Sequence, residues 1–218
     1  QAQTAAGTSF DFSAMIAANG YGSYTFSVQA VSGKTDLYTD SASAASGGYT
    51  PADGALPVVS GLTLTDQGGT LQGTVSDAET GIRAYAFSTA GSVSGVTWTE
   101  LENTAGTEAV VSAPVTVPGV FYLYAKDGGG NVARSEGITL TAAVLHGAYT
   151  NNVQTAKTVF FQGTGSLTLP DGGARTGYTF AGWYLDEALT QAAGTVSGTG
   201  TSLALWAKWD ASSIFTQQ

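Results

Sequence analysis

Cysteine is absent from this chain. That absence excludes a disulfide framework, a zinc–thiolate site and a cysteine nucleophile. Histidine occurs once, at His146. A Ser–His–Asp triad would have to use it, yet no Gly-x-Ser-x-Gly stretch supplies an activated serine. Basic residues are scarce: seven Lys and Arg stand against sixteen Asp and Glu, for a net charge of −9. Nucleic-acid binding needs clustered Lys and Arg to neutralise phosphates, so a nucleic-acid partner is not expected. Charged residues of either sign reach only 11%, against about a quarter in an ordinary globular domain. No apolar run approaches the ~18 residues of a membrane span, so membrane insertion is not expected either. Residues 1–3 do not open a charged-then-apolar leader. Residues 169–172, Leu-Pro-Asp-Gly, lack the threonine of a sorting signal and a basic tail. If the protein is exported, its targeting and anchoring segments are expected outside these 218 residues.

What the chain does contain is glycine, threonine, serine and alternating apolar runs. Hydrophobic residues make up 43%, enough to build cores rather than a disordered tail. No long stretch has helical periodicity. Short alternating runs punctuated by Gly, Asn, Asp and Pro predict mostly β structure. Residues 1–50 carry an apolar pair at 9–12, an alternating run at 24–31 and a weaker one at 38–45. Pro51, Pro57 and Gly54 read as a linker. Within 51–143, strands are expected near 62–65, 71–75, 82–88, 97–101, 109–111, 119–126 and 131–140, with the turn spacing of a β-sandwich. A second linker is expected near 142–147, followed by a third module over 144–212 and a tail over 213–218. The tails at 1–8 and 211–218 are suited to strand donation to a neighbour's edge. The expected fold is thus mostly β: immunoglobulin-like sandwich modules followed by a small β-grasp-like module.

Residues 176–185 read Thr-Gly-Tyr-Thr-Phe-Ala-Gly-Trp-Tyr-Leu, and 205–209 read Leu-Trp-Ala-Lys-Trp. With Arg175 and Asp186, this run resembles the Listeria–Bacteroides repeat, or internalin B-repeat, family. Trp206 stands where the family usually has Tyr. The resemblance implies a β-grasp-like module of large bacterial surface proteins, with Tyr178, Phe180, Trp183, Leu205 and Trp209 as its structural core. Independently, alternation over 203–209 has the period of a strand, and Asp186 is positioned to cap a short helix through Leu189. The run 120–133 resembles the final hairpin of bacterial immunoglobulin-like domains, and 22–51 resembles the last strands of a fibronectin type III domain. Fifty residues are too few for that whole sandwich, so 1–50 is expected to be partial, its missing strands lying upstream or donated by another chain.

Candidate chemistry is sparse. Asp77 with Glu79, and Glu100 with Glu102, are read as acidic surface patches rather than glycosidase pairs. No cofactor is expected. Calcium is the metal the composition permits, through hard oxygens of Asp77, Asp127 and Asn131, although Asp127 and Asn131 are equally well explained as turn residues. A Lys126 crosslink to Asn103 or Asn131 is a covalent possibility. Trp98 and Trp206 are candidate ligand-surface residues. The expected function is a non-catalytic stalk or adhesion segment on the bacterial cell surface, contacting flanking domains, neighbouring copies, or a host or cell-surface protein or glycan. The rivals are a strand-donated filament subunit and a glycan-binding region of a secreted enzyme.

Overall fold

The computed structural model describes residues 22–34 and 36–212. The expectations for 1–21, including the apolar pair at 9–12, and for the tail at 213–218 lie outside the described residues. Those described are mostly β, with thirteen strands and no helix. Among them, accordingly, no helix is long and apolar enough to cross a membrane.

In the first segment only β1 (Ser27–Val28) and β2 (Ala44–Ala45) pair, extended by a bridge between Tyr24 and Tyr49. The longer strand expected over 24–31 does not form. Side chains take the backbone donors that a longer ladder would use. Phe26 N–H goes to Ser46 Oγ, Ala30 N–H to Ser41 Oγ and Ser32 N–H to Asp40 Oδ1. Ser and Asp compete with strand pairing in this way. Val31, Leu37 and Tyr38 remain at least 66% exposed.

The next nine strands in chain order begin with β3 (Val58–Asp66), β4 (Thr70–Ser76), β5 (Ile82–Ser88) and β6 (Thr99–Glu100). They continue through β7 (Glu108–Pro114), β8 (Gly119–Asp127), β9 (Val132–Arg134), β10 (Ile138–Thr150) and β11 (Val153–Gln162). One sheet has the order β3-β4-β7; the other places β8 between β5 and the broken pair β9/β10. Alternation decides which side chains enter the space between them. Val75 of β4, Ile82 of β5, Val111 of β7 and Leu123 and Ala125 of β8 form one buried cluster. Leu71, Phe121, Leu140 and Phe160 form the next.

The linker expected near 142–147 is instead the middle of a thirteen-residue strand. Ala142, Ala143 and Gly147 read as spacer because they are small. They are small because β10 is packed on both faces. Leu140 and Ala142 belong to the sandwich core, whereas Ala143 and Leu145 belong to the core of the C-terminal module. The division after residue 143 therefore falls inside a strand. β11 repeats the pattern: Phe160 faces the sandwich core, Val159 and Phe161 the other. The turn joining these strands is Asn151-Asn152, at φ 49° and 64°, with Thr150 opposite Val153. Two positive φ values in a two-residue loop match the right-handed twist of the strands.

β12 (Tyr178–Tyr184) and β13 (Ser202–Ala211) complete the C-terminal module. Its order is β11-β10-β13-β12, with β10 and β13 parallel from Ala142↔Ser202 to His146↔Trp206. The short helix expected at 186–189 is a turn instead. The Asp186 carboxylate accepts the N–H groups of Thr190 and Gln191 and so folds the chain back on itself.

The two cores should melt together. Leu140 is fully buried, so Leu140→Ala should cost about 2–5 kcal/mol. Urea unfolding should lower the midpoint read by Trp183 fluorescence, in the C-terminal module, as much as that read by amide exchange in β4 and β8. Two separated transitions in the parent protein would contradict a shared core.

Candidate functional site

Simple alternation would put Phe180 and Trp183 on opposite faces of β12. A bulge between Phe180 and Gly182, with Gly182 at φ 128°, resets the register and brings both to the core side. The ring centroids of Phe180 and Trp183 lie 5.3 Å apart, and those of Phe180 and Trp209 5.4 Å apart. Such pairs add about 0.5–1.5 kcal/mol each beyond burial. Both indole N–H groups are satisfied: Trp183 Nε1 donates to Pro170 O at 2.7 Å and Trp209 Nε1 to Gly147 O at 2.9 Å. Leu205 is fully buried beside them. Tyr178 is the exception to the expected core. It begins β12 at the rim of the sheet, 40% exposed, with the Arg175 guanidinium 3.6 Å over its ring.

Trp206 faces the other side of the sheet. His146 lies beside it in the parallel register and stacks on the indole at 5.1 Å, with a 16° interplanar angle. One indole face is therefore already covered, which leaves less for a sugar ring. Tyr184, opposite Trp206 on β12, has Lys208 Nζ 5.5 Å from its ring centre. Trp98 is half-buried and meets Tyr124 edge-on at 6.4 Å. The structure thus brings Trp98 and Trp206 into two separate aromatic contacts. His146 is held by its indole neighbour. Asn103 and Asn131 direct their amides to Thr107 and to Asp127 and Asp53.

The densest polar group sits where the 51–57 linker meets the sandwich. Asp77 follows β4 and Asp127 ends β8; both are buried, at 3% and 0% exposure. Asp77 Oδ1 accepts N–H bonds from Glu79, Thr80 and Gly81 at 3.0, 2.6 and 3.0 Å. This closes the 77–81 turn as an Asx motif. Asp127 accepts the backbone and side-chain amides of Asn131 at 2.8 and 3.0 Å, closing the β8–β9 turn. Asp53 arrives from the linker, which reasoning from sequence had treated as a spacer. Its Oδ2 accepts Thr80 Oγ1 at 2.6 Å, and its carbonyl accepts Asn131 Nδ2 at 3.1 Å. One oxygen from each of Asp53, Asp77 and Asp127 lies within 4.8 Å of the others. Oxygens that share a calcium ion at about 2.4 Å are at most about 4.8 Å apart, so the donor set is chemically suited to a hard cation. Hydrogen bonds already serve all three carboxylates, however, and their evident role is to lock two turns and dock the linker. Of these residues, the expected Asp77, Asp127 and Asn131 converge, and the Glu79 N–H goes to Asp77. Glu100 instead lies 4.0 Å from Arg83 in an exposed pair.

Burial opposes ionisation of Asp53, but the hydroxyl of Thr80, the N–H of Ala55 and the Glu79 carboxyl outweigh it and hold its pKa below the ordinary value.

Comparison with family models, with curated proteins and with solved structures returns no match.

Two outcomes follow for the acidic group. Asp77→Ala strands three backbone donors in a buried turn and should destabilise the sandwich by about 2–4 kcal/mol in urea titration. A loss under about 0.5 kcal/mol would show that the turn does not depend on the carboxylate. A lowered folded pKa means that Asp53 stabilises the fold fully above its unfolded pKa, about 3.9. That stabilisation is lost as the pH falls through the lower folded value. The stability gap between the parent protein and Asp53→Asn should therefore be constant at neutral pH and close below about pH 4.

Proposed function

We propose that this chain is a non-catalytic segment of a bacterial extracellular surface protein, acting as a stalk or adhesion module. Its partners would be flanking domains of the same polypeptide, neighbouring copies, and a host or cell-surface protein or glycan. Composition supports the reading: low charge, no cysteine, and abundant Thr, Ser and Gly in a chain whose described residues are mostly β. So does the resemblance of residues 175–210 to the B-repeat family, with the sandwich before it read as immunoglobulin-like and the final sheet as β-grasp-like.

The observation that carries the stalk reading is the parallel pairing of β10 with β13. Tension that enters at the start of β10 and leaves at the end of β13 pulls these neighbours in opposite directions along their lengths. The five register positions from Ala142↔Ser202 to His146↔Trp206 are then loaded together, in shear, rather than opened one at a time. Such a module resists tension along its chain. The glycan-binding alternative would rely on the aromatic side chains outside the core, but the best placed, Trp206, is stacked by His146.

Single-molecule pulling across residues 56 and 212 tests the stalk reading. One high-force rupture is expected, weakened when Leu203→Pro removes the N–H that the parallel register directs at β10. Low-force peeling of 144–212 before the sandwich would overturn it. Surface labelling of intact cells with an antibody to this chain tests the location, and turnover of a glycan or peptide by the purified chain would overturn the non-catalytic reading.

A further inference from the structure

The edges of the sheets differ in how they are closed. A free strand edge invites another chain, and proteins blunt it with bulges, charge, short length or cover. Nearly every long edge here is blunted. β3 has two register breaks and a left-handed Gly61, and its Leu64 N–H is taken by Gln162 Oε1 at 2.7 Å. β11 carries Lys157, and its Phe160 N–H is taken by Gln67 O at 2.9 Å. β12 is bulged, and residues 191–193 cover its outer side through Leu185 N–H to Gln191 O and Ala193 N–H to Trp183 O. β6 and β9 are only two and three residues long.

β7 has no bulge and no cover, and its one charge and its proline, Glu108 and Pro114, stand only at its two ends. Its seven residues, Glu-Ala-Val-Val-Ser-Ala-Pro, pair with β4 in unbroken register from Ser76↔Glu108 to Thr70↔Pro114. Among the described residues, no hydrogen bond reaches its other edge. It carries no Lys or Arg, and Val110 is 66% exposed on its solvent face. We propose that β7 is a strand-pairing edge, and that its partner is β7 of a second copy, antiparallel about a two-fold axis through Val111.

The charge pattern selects this occupant. The chain's net charge of −9 disfavours close approach of two copies in general. At this edge the one charged residue, Glu108, stands at the end of the strand. Antiparallel pairing centred on Val111 places Glu108 opposite Pro114 and Val110 opposite Ser112. The two Glu108 carboxylates then sit six strand positions apart, about 20 Å, or about two and a half Debye lengths at physiological salt. The contact merges two β3-β4-β7 sheets into one of six strands, as an isologous interface requires. Edge pairing alone buries little surface, so the dimer is a weak one, of the kind used where many copies are held close together. This inference goes beyond the stalk reading and does not depend on it.

The test is sedimentation equilibrium of the full chain over rising concentration, with circular dichroism to check the fold of each variant. A reversible dimer is expected by about 1 mM. Val110→Lys, at an exposed position, should weaken it at least about tenfold. Val153→Lys, an equally exposed change on β11, should leave it intact. Because the chain has no cysteine, register can be read directly. A mixture of Val110→Cys and Ser112→Cys chains should form a covalent dimer on mild oxidation, well above the level of either chain alone. A chain that stays monomeric at about 1 mM overturns the proposal. So does a dimer that both lysine variants weaken equally, or crosslinking no greater in the mixture than in the single variants.

Discussion

Everything from residue 58 to residue 212 depends on two strands that each serve two cores. Along β10 up to the register shift after Leu145, side chains of one parity enter the sandwich and those of the other parity enter the C-terminal module. β11 does the same through Phe160 on one side and Val159 and Phe161 on the other. A strand buried on both faces tolerates little bulk, which accounts for Ala142, Ala143 and the left-handed Gly147 in a stretch that must still hydrogen-bond on both edges. Gln162 and Gln67 close the remaining gap between β3 and β11. The two modules are therefore packed as one body.

Having neither disulfides nor dense ion pairing, the chain holds its turns with side-chain acceptors. Asp77, Asp127 and Asp186 each collect several donors within four or five residues of sequence. Asn152 does the same for Thr176 across the C-terminal module. Thr141 is buried, and its hydroxyl accepts the N–H groups of Thr199 and Gly200, tying the 199–200 turn to β10. These bonds cost little entropy when local, and each satisfies a backbone donor that would otherwise be stranded. Abundant short polar side chains are thus part of how this fold is built, not only a mark of its surface.

The middle of the chain was the most legible part of the sequence. Period-two alternation predicted β5 at its observed limits and placed segments within β3, β4 and β7, because each has one buried and one wetter face; β8, buried on both faces at Leu123, Tyr124 and Ala125, was placed by the hairpin motif that follows it. The Trp183–Trp209 core was legible from the motif, but the bulge that aligns Phe180 with Trp183 was not, since a glycine alone does not announce its φ. Where alternation disappears and no turn motif marks the strand, reasoning from sequence failed. β10 has two dry faces and so lacks the signal that marks a half-buried strand. The opposite error occurred at 24–31, where alternation was present but neighbouring serines captured the backbone donors. Asp53 was missed because the group it completes is assembled from segments far apart in sequence.

A strand shared between two cores also has a consequence for descent. Modules joined by a flexible linker can be copied, shuffled and re-ordered by recombination, since each carries its own interior. Here a crossover between residues 143 and 144 would leave both products with an unfilled interior: one would lose Phe160 from the sandwich, the other would lose the first half of its central strand. The stretch from β3 to β13 is therefore heritable as one block, and duplicated or transplanted copies are expected to carry both modules together.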